Sequence, residues 1–361
     1  MRIVVIGTRG IPNIQGGVET HCQELYPRLV NLGCEVILIR RSCYILPENR
    51  LDKYKGVKLI DVYAPKKKSF EAIIHSFLSV IKAKELKADV LHIHAIGPSL
   101  VVPFARMLGI KVVMTHHGPD YDRQKWGKLA KWSLKLGERL GVKYANEVIV
   151  ISNVINDLIK QKYKRLNARL IFNGVPSPQK IETTAYLSSL GIRPQKYILA
   201  VGRFVPEKGF DLLIKAFASL QIREFQLVIV GDADHSTSYS QSLKLLAEQH
   251  KITFTGFLSG TKLQEIFTHA YLFVLPSFHE GLPISLLEAM SYQINVLVSN
   301  IPANVEVGLD KDCYFEVGNE TELRDKIEDR LRKHDSPPPY NMTSYNWDVI
   351  STQVLNTYEN L

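Results

Sequence analysis

Two carboxylates, Glu280 and Glu288, stand in "FHEGLPISLLEAM" (278–290), a stretch that otherwise reads as the start of a helix. Pro283 suits the first helical position, and Ile284, Leu286, Leu287 and Met290 supply an apolar face. A carboxylate among apolar side chains is costly unless it is paired or hydrogen-bonded. The unsatisfied N–H groups of such a helix start, near Leu282 to Ser285, suit phosphate oxygens. Glu280 precedes them, close to whatever the phosphates carry. Glu288 lies about 1.5 turns deeper, placed to accept hydrogen bonds from the vicinal hydroxyls of a ribose. Pairing with a nearby lysine is the alternative reading of Glu288.

Cations that could meet the same phosphates occur upstream. "VGRFVPEKGFDLLIKAF" sets Arg203 just past a strand and Lys208 at a helix start, where the pair could clamp a diphosphate and face a solvent-filled cleft. The competing reading makes Lys208 a solvated first-turn residue. Near the N-terminus, "GTRGIPNIQGGVET" follows a strand and opens a helix. Gly7, Gly10, Gly16 and Gly17 would let backbone approach an anion there, or merely serve a tight turn. The spacing is not that of a dinucleotide fingerprint. "MTHHGPD" places His116 and His117 at a strand end, and "VGDADHS" contains Asp232 and Asp234 as a lone D-x-D. One such pair supplies too few oxygen ligands for a hard cation, so no metal is expected.

These residues need elements to position them, and the sequence predicts parallel strands alternating with helices. In the first half strands are expected at 2–7, 35–40, 57–62, 89–94, 111–116 and 147–152, with helices near 18–32, 70–87, 98–108, 123–143 and 153–163. After "RLIFNGV" the periodicity stops, and 176–195 reads as a linker. A second series follows, with strands at 197–202, 226–231, 252–256, 271–276 and 295–299 and helices near 208–220, 238–250, 261–269 and 283–292. Trp347, Ile350, Val354 and Tyr358 then mark one side of a last amphipathic helix. The expectation is two doubly wound domains, 1–180 and 181–340, with 341–361 as a C-terminal helix and the ligand at the carboxyl ends of the strands.

Composition narrows the class. The 361 residues exceed one ordinary core, and 45% hydrophobic with 22% charged residues fits a globular protein. No apolar run reaches 18 residues, and the five-residue apolar stretch at the start is too short for a signal peptide. Cys22, Cys34, Cys43 and Cys313 show no C-x-x-C spacing, consistent with reduced thiols and a cytoplasmic address. Residues 1–170 hold 29 Lys+Arg against 14 Asp+Glu, whereas 171–361 hold 16 against 22. The basic half calls for an anionic partner.

Together, Glu280-x7-Glu288, "GRFVPEKGFDLLIKAF" and "NGV" (173–175) resemble the retaining glycosyltransferases of family 4. The resemblance runs from residue 3 to about 360. "GTRGIP…GGVET" and "HHGPDYDRQKWGKLAKW" look closer still to a bacterial branch that builds surface polysaccharides and includes rhamnosyltransferases. It implies an α/β chain of GT-B fold: two Rossmann-like domains facing a central cleft, acceptor in the first, nucleotide sugar in the second, and a C-terminal helix crossing back to the first. It further implies that Arg203 and Lys208 hold the donor diphosphate, Glu288 the ribose and Glu280 the donor sugar. The backbone at Gly281 and Leu282 would meet phosphate or sugar, Phe257 and Leu258 would flank the base, and Gly16 and Gly17 would face the phosphates. His117 matches the histidine that touches the donor sugar, with His116 the fallback. The implied donor is a UDP, GDP or dTDP sugar, with no cofactor.

Two further features concern partners. "DRQKWGKLAKWSLKLGERLGVKY" interleaves Lys125, Lys128, Lys131 and Lys135 with Trp126, Leu129, Trp132 and Leu136, the composition of a helix that lies on a membrane or lines a cleft. "PKKKSF" (65–70) adds cations that could meet lipid headgroups. A lipid-linked glycan acceptor and peripheral contact with an anionic membrane follow as expectations. A nucleotide-sugar 2-epimerase would share the architecture but needs acids and bases around the sugar. A nucleic-acid binder lacks the basic and aromatic module it would need.

Overall fold

Short Val/Ile-rich runs become buried strands because both faces of each sheet are covered by helices. The computed structural model describes residues 1–47, 50–66, 71–122, 127–222, 224–233, 236–333 and 336–361. The chain divides into two compact units, Met1–Gly174 with Ser344–Leu361, and Val175–Thr343. The first therefore ends short of the expected residue 180, and the chain rejoins it at Ser344.

In the first unit the strands are β1 (Arg2–Ile6), β2 (Glu35–Arg41), β3 (Lys53–Tyr54), β4 (Val57–Val62), β5 (Val90–His94), β6 (Lys111–His116), β7 (Glu147–Val150) and β8 (Arg169–Leu170). They form one sheet in the order β3-β4-β2-β1-β5-β6-β7-β8, parallel except for the β3–β4 hairpin. The helices are α1 (Gly17–Asn31), α2 (Glu71–Glu85), α3 (Val102–Met107), α4 (Lys128–Tyr144) and α5 (Asn153–Tyr163). The expected helix at 98–108 begins as a 3-10 turn over Pro98–Val101.

In the second unit α6 (Ala185–Ser189) precedes β9 (Tyr197–Val201), α7 (Phe210–Ala218), β10 (Gln226–Val230), α8 (Ser238–Gln249) and β11 (Thr253–Phe254). Then come α9 (Gly260–Thr268), β12 (Leu272–Leu275), α10 (Ile284–Ser291), β13 (Asn295–Ser299), α11 (Pro302–Val305), β14 (Tyr314–Phe315) and α12 (Glu320–Lys333). The sheet order β11-β10-β9-β12-β13-β14, parallel throughout, reverses direction between β9 and β12, a switch point of the kind that receives ligands. The expected linker is not featureless. Its α6 buries Leu187, whose N–H donates to Glu265 Oε1 at 2.8 Å.

The last helix, α13 (Trp347–Glu359), packs on α1 in the first unit. Trp347, Ile350, Val354 and Tyr358 all enter the core shared by Cys22, Leu25, Tyr26 and Leu29. Among the described residues no helix is long and apolar enough to cross a membrane.

Candidate functional site

In the second unit, β9 ends at Val201 and a tight turn over Pro206–Lys208 leads through Gly209 into α7. Gly209 sits at φ 62°, and a Cβ there would lie 2.4 Å from the Pro276 carbonyl oxygen. Only glycine lets these two segments approach so closely. The Phe278 N–H donates to the Glu207 carbonyl at 2.8 Å, closing the contact. Gly202 leaves room for the Lys208 stem, whose Cε would be 3.1 Å from an added Cβ.

That approach sets Lys208 Nζ 2.6 Å from Glu280 Oε1, with 17% and 11% of the two side chains exposed. Ser277 Oγ donates to the same oxygen at 2.6 Å. Behind it, Ser299 Oγ donates to the Ser277 carbonyl at 2.5 Å, and Asn304 Nδ2 donates to Ser299 at 2.9 and 3.2 Å. Lys208 is therefore not a fully solvated first-turn residue, although part of its side chain stays exposed. It is mostly buried, and the carboxylate paired with it is Glu280.

Pro283 is the N-cap of α10 and makes no side-chain cap. In the first turn the N–H groups of Ile284 and Ser285 have no intrahelical acceptor, whereas those of Leu286 and Leu287 donate to the Pro283 carbonyl. Glu288 is half-exposed, while its neighbours Leu286, Leu287, Ala289 and Met290 are buried. It sits at the edge of the apolar face rather than within it. Phe257 is 44% exposed and Leu258 half-buried, past the Gly231–Gly256 bridge at the end of β11. Arg203 and Gly281 are also half-buried, and Leu282 is buried. A cation, a carboxylate and free amides brought together in this way can hold a diphosphate and the group attached to it. Asp232 Oδ1 pairs with Lys244 Nζ at 3.0 Å and accepts the Ala233 N–H at 2.8 Å, while Asp234 lies outside the described residues.

In the first unit the glycine loop between β1 and α1 is tied by Glu19. Its Oε1 accepts the Arg9 N–H at 2.9 Å and the Thr8 hydroxyl at 3.2 Å. Gly7 requires glycine, since at φ 99° a Cβ would stand 2.2 Å from the His94 carbonyl oxygen. Gly16 is the N-cap of α1, and an added Cβ at Gly17 meets nothing within 4 Å. Gly17, the first residue of this 15-residue helix, is exposed, while the Glu19 carboxylate stands against Gly16, where an added Cβ would meet its Oε2 at 2.0 Å.

The two strand-end histidines have different fates. His116 is fully buried, with Nε2 3.0 Å from Glu138 Oε1 and Nδ1 accepting the Gly118 N–H at 3.1 Å. Glu138 also accepts from Tyr121, Lys162 and Tyr163. Burial raises its pKa, but hydrogen bonds from His116, Lys162 and Tyr163 outweigh this and hold it at about 2. His116 is thus a structural residue, and His117 remains as the partly exposed imidazole.

His117 belongs to a cluster that the sequence reading did not single out. His94 Nδ1 lies 2.9 Å from His117 Nε2, and His94 Nε2 lies 2.5 Å from the Tyr26 hydroxyl. His92 Nδ1 lies 2.6 Å from the Tyr358 hydroxyl and 2.9 Å from that of Tyr26, and its Nε2 lies 2.7 Å from Thr115 Oγ1. His21 Nδ1 donates to Asn173 Oδ1 at 2.9 Å, and its ring meets those of His117 and Trp347 edge-on. This gives "NGV" a structural sense: Asn173 fixes His21, and Gly174 leaves space for Trp347, which an added Cβ would meet at 2.6 Å. Burial lowers the pKa of His21 to about 4 and of His92 to about 3, and with help from neighbouring imidazoles drives His94 and His117 well below the usual value. All are neutral at pH 7. Ring nitrogens of His21, His94 and His117 lie within 4.8 Å of one another, a spacing that could admit a metal ion. Both nitrogens of His94 are already hydrogen-bonded, however, so an ion would have to displace those bonds. The signal available in the sequence was "VLHIH", whose alternation puts His92 and His94 on one face of β5.

On α4, Lys128, Leu129, Trp132 and Lys135 are exposed, Leu129 by 80% and Trp132 by 62%, while Lys131 and Leu136 are half-buried. Lys135 lies over the Tyr121 ring. Lys125 and Trp126, with most of "PKKKSF", lie outside the described residues.

These two mostly parallel sheets with their helices, and the solved structures they resemble, define the GT-B fold. HepE of Anabaena, solved with UDP and glucose, superposes with a TM-score of 0.81 over 100% of this chain and 99% of that one, at 15% identity. Residues 15–177 match the family described as Glycosyltransferase Family 4, and residues 184–346 match that described as Glycosyl transferases group 1. The chain belongs to these glycosyltransferases. It is 26% identical over 335 residues to an uncharacterized glycosyltransferase of Methanocaldococcus jannaschii, covering 85% of this chain and 82% of that protein. It is 27% identical over 223 residues to the O-antigen chain mannosyltransferase RfbU of Salmonella typhimurium, covering 60% of this chain and 61% of that one.

Proposed function

We propose that this glycosyltransferase moves a hexose or deoxyhexose, with retention of anomeric configuration and without a metal, from a nucleoside diphosphate sugar to a hydroxyl of a lipid-linked glycan in bacterial polysaccharide biosynthesis. The observation that carries this reading is the Lys208–Glu280–Ser277 cluster beside the start of α10. Lys208 and Arg203 neutralise the diphosphate as it leaves, and the amides from Gly281 and Leu282 into α10 receive its oxygens. Glu280 turns from Lys208 toward the sugar hydroxyls once phosphate supplies the lysine with a counter-charge. Glu288 accepts from the ribose, and Phe257 and Leu258 flank the base. Gly16 and Gly17 offer their amides to phosphate, and His117 contacts the donor sugar.

A departing diphosphate needs charge stabilisation more than a strong base. The acceptor hydroxyl attacks from the face the diphosphate leaves, and a leaving-group oxygen takes its proton. No side chain is assigned as a covalent nucleophile. HepE was solved with UDP, which favours a uridine donor, and RfbU acts on O-antigen chains, which favours a surface-polysaccharide acceptor. Rhamnose, the sugar of the resembling bacterial branch, would arrive on dTDP. Exposed Leu129 and Trp132 among lysines on α4 favour peripheral contact with an anionic membrane.

Thermal-shift screening against UDP, GDP, dTDP and their sugars tests the donor. A true ligand at 100 times its Kd adds about 2.7 kcal/mol of stability. No shift with any of them would overturn the reading, and free UDP with an epimerised sugar in the absence of acceptor would replace it by an epimerase.

A further inference from the structure

His117 is not held by its own strand end alone. Its Nε2 is occupied by His94, His94 by Tyr26, and behind Tyr26 stand His92, Tyr358 and Thr115. These residues come from β5, β6, α1 and α13, and all but His117 are buried. A neutral imidazole carries one proton, so each ring in such a line must donate with one nitrogen and accept with the other. The direction of the line therefore decides which nitrogen of His117 holds the proton.

The Tyr358 hydroxyl, 2.6 Å from His92 Nδ1, is the nearer phenol to that nitrogen; Tyr26 is 2.9 Å away. Tyr358 thus donates to His92 Nδ1, and His92 Nε2–H donates to Thr115 Oγ1. Of the two imidazole nitrogens beside Tyr26, His94 Nε2 is the nearer, at 2.5 Å against 2.9 Å for His92 Nδ1, and the Tyr26 proton is assigned to it. A phenol O–H is a better donor than an imidazole N–H, which favours this direction over its reverse. With Nε2 accepting, His94 must carry its proton on Nδ1 and donate it to His117 Nε2. His117 is left with its proton on Nδ1, a nitrogen that no described residue engages.

We propose that Tyr26 and His94 are positioning residues that lock His117 as the Nδ1–H tautomer, so that it presents a hydrogen-bond donor, and not an acceptor, to the donor sugar. The lowered pKa values of the cluster agree, since a protonated imidazole would break the one-donor, one-acceptor pattern. The sugar contact rests on the function proposed above; the tautomer does not.

The test uses the full chain labelled with 15N-histidine and long-range 1H–15N correlation, with the His117 signal assigned by its loss in His117→Gln. Wild type should show His117 protonated on Nδ1 alone. Tyr26→Phe removes the phenol proton at nearly constant volume, so His117 should become a mixture of tautomers. Turnover of UDP-glucose, followed as UDP release, should fall about three- to tenfold, the scale of one neutral hydrogen bond, with UDP affinity unchanged. His94→Asn keeps a donor near the Nδ1 position and should retain more turnover than His94→Ala, a comparison that stands even if Tyr26→Phe does not fold. A wild-type His117 protonated on Nε2, or a Tyr26→Phe variant with an unmixed Nδ1–H signal, overturns the proposal. Wild-type turnover in His117→Gln instead sinks the sugar contact and leaves the tautomer to the spectra.

Discussion

Replacing Lys208 by alanine should damage folding as well as turnover, and the two effects should separate in a double variant. Lys208 Nζ lies 2.6 Å from Glu280 Oε1, with 17% and 11% of the side chains exposed. Removing one partner of a fully buried pair costs about 3–5 kcal/mol, because the other charge is left without compensation. Some solvent access remains here and Ser277 still donates to Glu280, so about 2 kcal/mol is the expected loss. Glu280→Gln keeps a hydrogen-bond acceptor for Ser277 and leaves an ammonium on a flexible stem, which should cost about 1 kcal/mol. In the double variant no isolated charge remains, so its loss should fall short of the sum by about 1–2 kcal/mol. Urea unfolding of the four proteins measures this coupling. Turnover should drop by about 10² in Lys208→Ala, the scale for one lost charge stabiliser, and should not recover in the double variant. Stability losses that add within about 0.5 kcal/mol would refute the pairing, and recovered turnover would refute the phosphate role of Lys208.

Four other outcomes are expected. Because His21, His92 and the buried His75 of α2 are held neutral with pKa values lowered to about 4, 3 and 4, the unfolded chain takes up their protons first as pH falls below the usual histidine value. Each contributes stability fully present above about pH 6.5 and lost by up to about 1.4 kcal/mol per pH unit below it, until its folded value is passed; Glu138, lowered to about 2, adds to the loss below its ordinary value of 4.5. Urea midpoints that stay flat between about pH 6.5 and 5 would contradict this. Gly209→Ala, at φ 62° and 2.4 Å from the Pro276 oxygen, should cost about 2–3 kcal/mol in unfolding, while Gly17→Ala should be near neutral. By calorimetry, Glu288→Gln should weaken free nucleotide and nucleotide sugar alike by about 1–3 kcal/mol; an unchanged affinity would make it a structural carboxylate. Finally, Leu129→Ser with Trp132→Ser should reduce sedimentation with anionic liposomes and leave nucleotide affinity intact, and equal binding to neutral and anionic vesicles would argue against membrane contact.

Periodicity and turn chemistry are local, and they sufficed for much of the architecture. The alternation of Val/Ile runs with helical stripes located β1, β2, β4 to β7, β9 to β13 and most of the helices between them. Trp347, Ile350, Val354 and Tyr358 mark the buried side of α13 by their spacing alone. Less was legible where the apolar signal is thin. The polar α12, buried only through Leu323, Ile327 and Leu331, carries too few apolar residues to stand out, and so does the short α6 within the expected linker. Residue type and spacing also brought Lys208, Glu280 and Glu288 to notice, but not their partners. Which carboxylate meets Lys208 depends on Gly209 admitting the Pro276 backbone, a contact between segments nearly 70 residues apart. His116 and His117 are indistinguishable in sequence; the fold gave one to Glu138 and the other to His94. The line behind His117 joins Tyr26, His92, His94, Thr115 and Tyr358, residues from both ends of the chain. Hydrogen bonds form between groups that meet in space, so only the tertiary structure could decide those pairings.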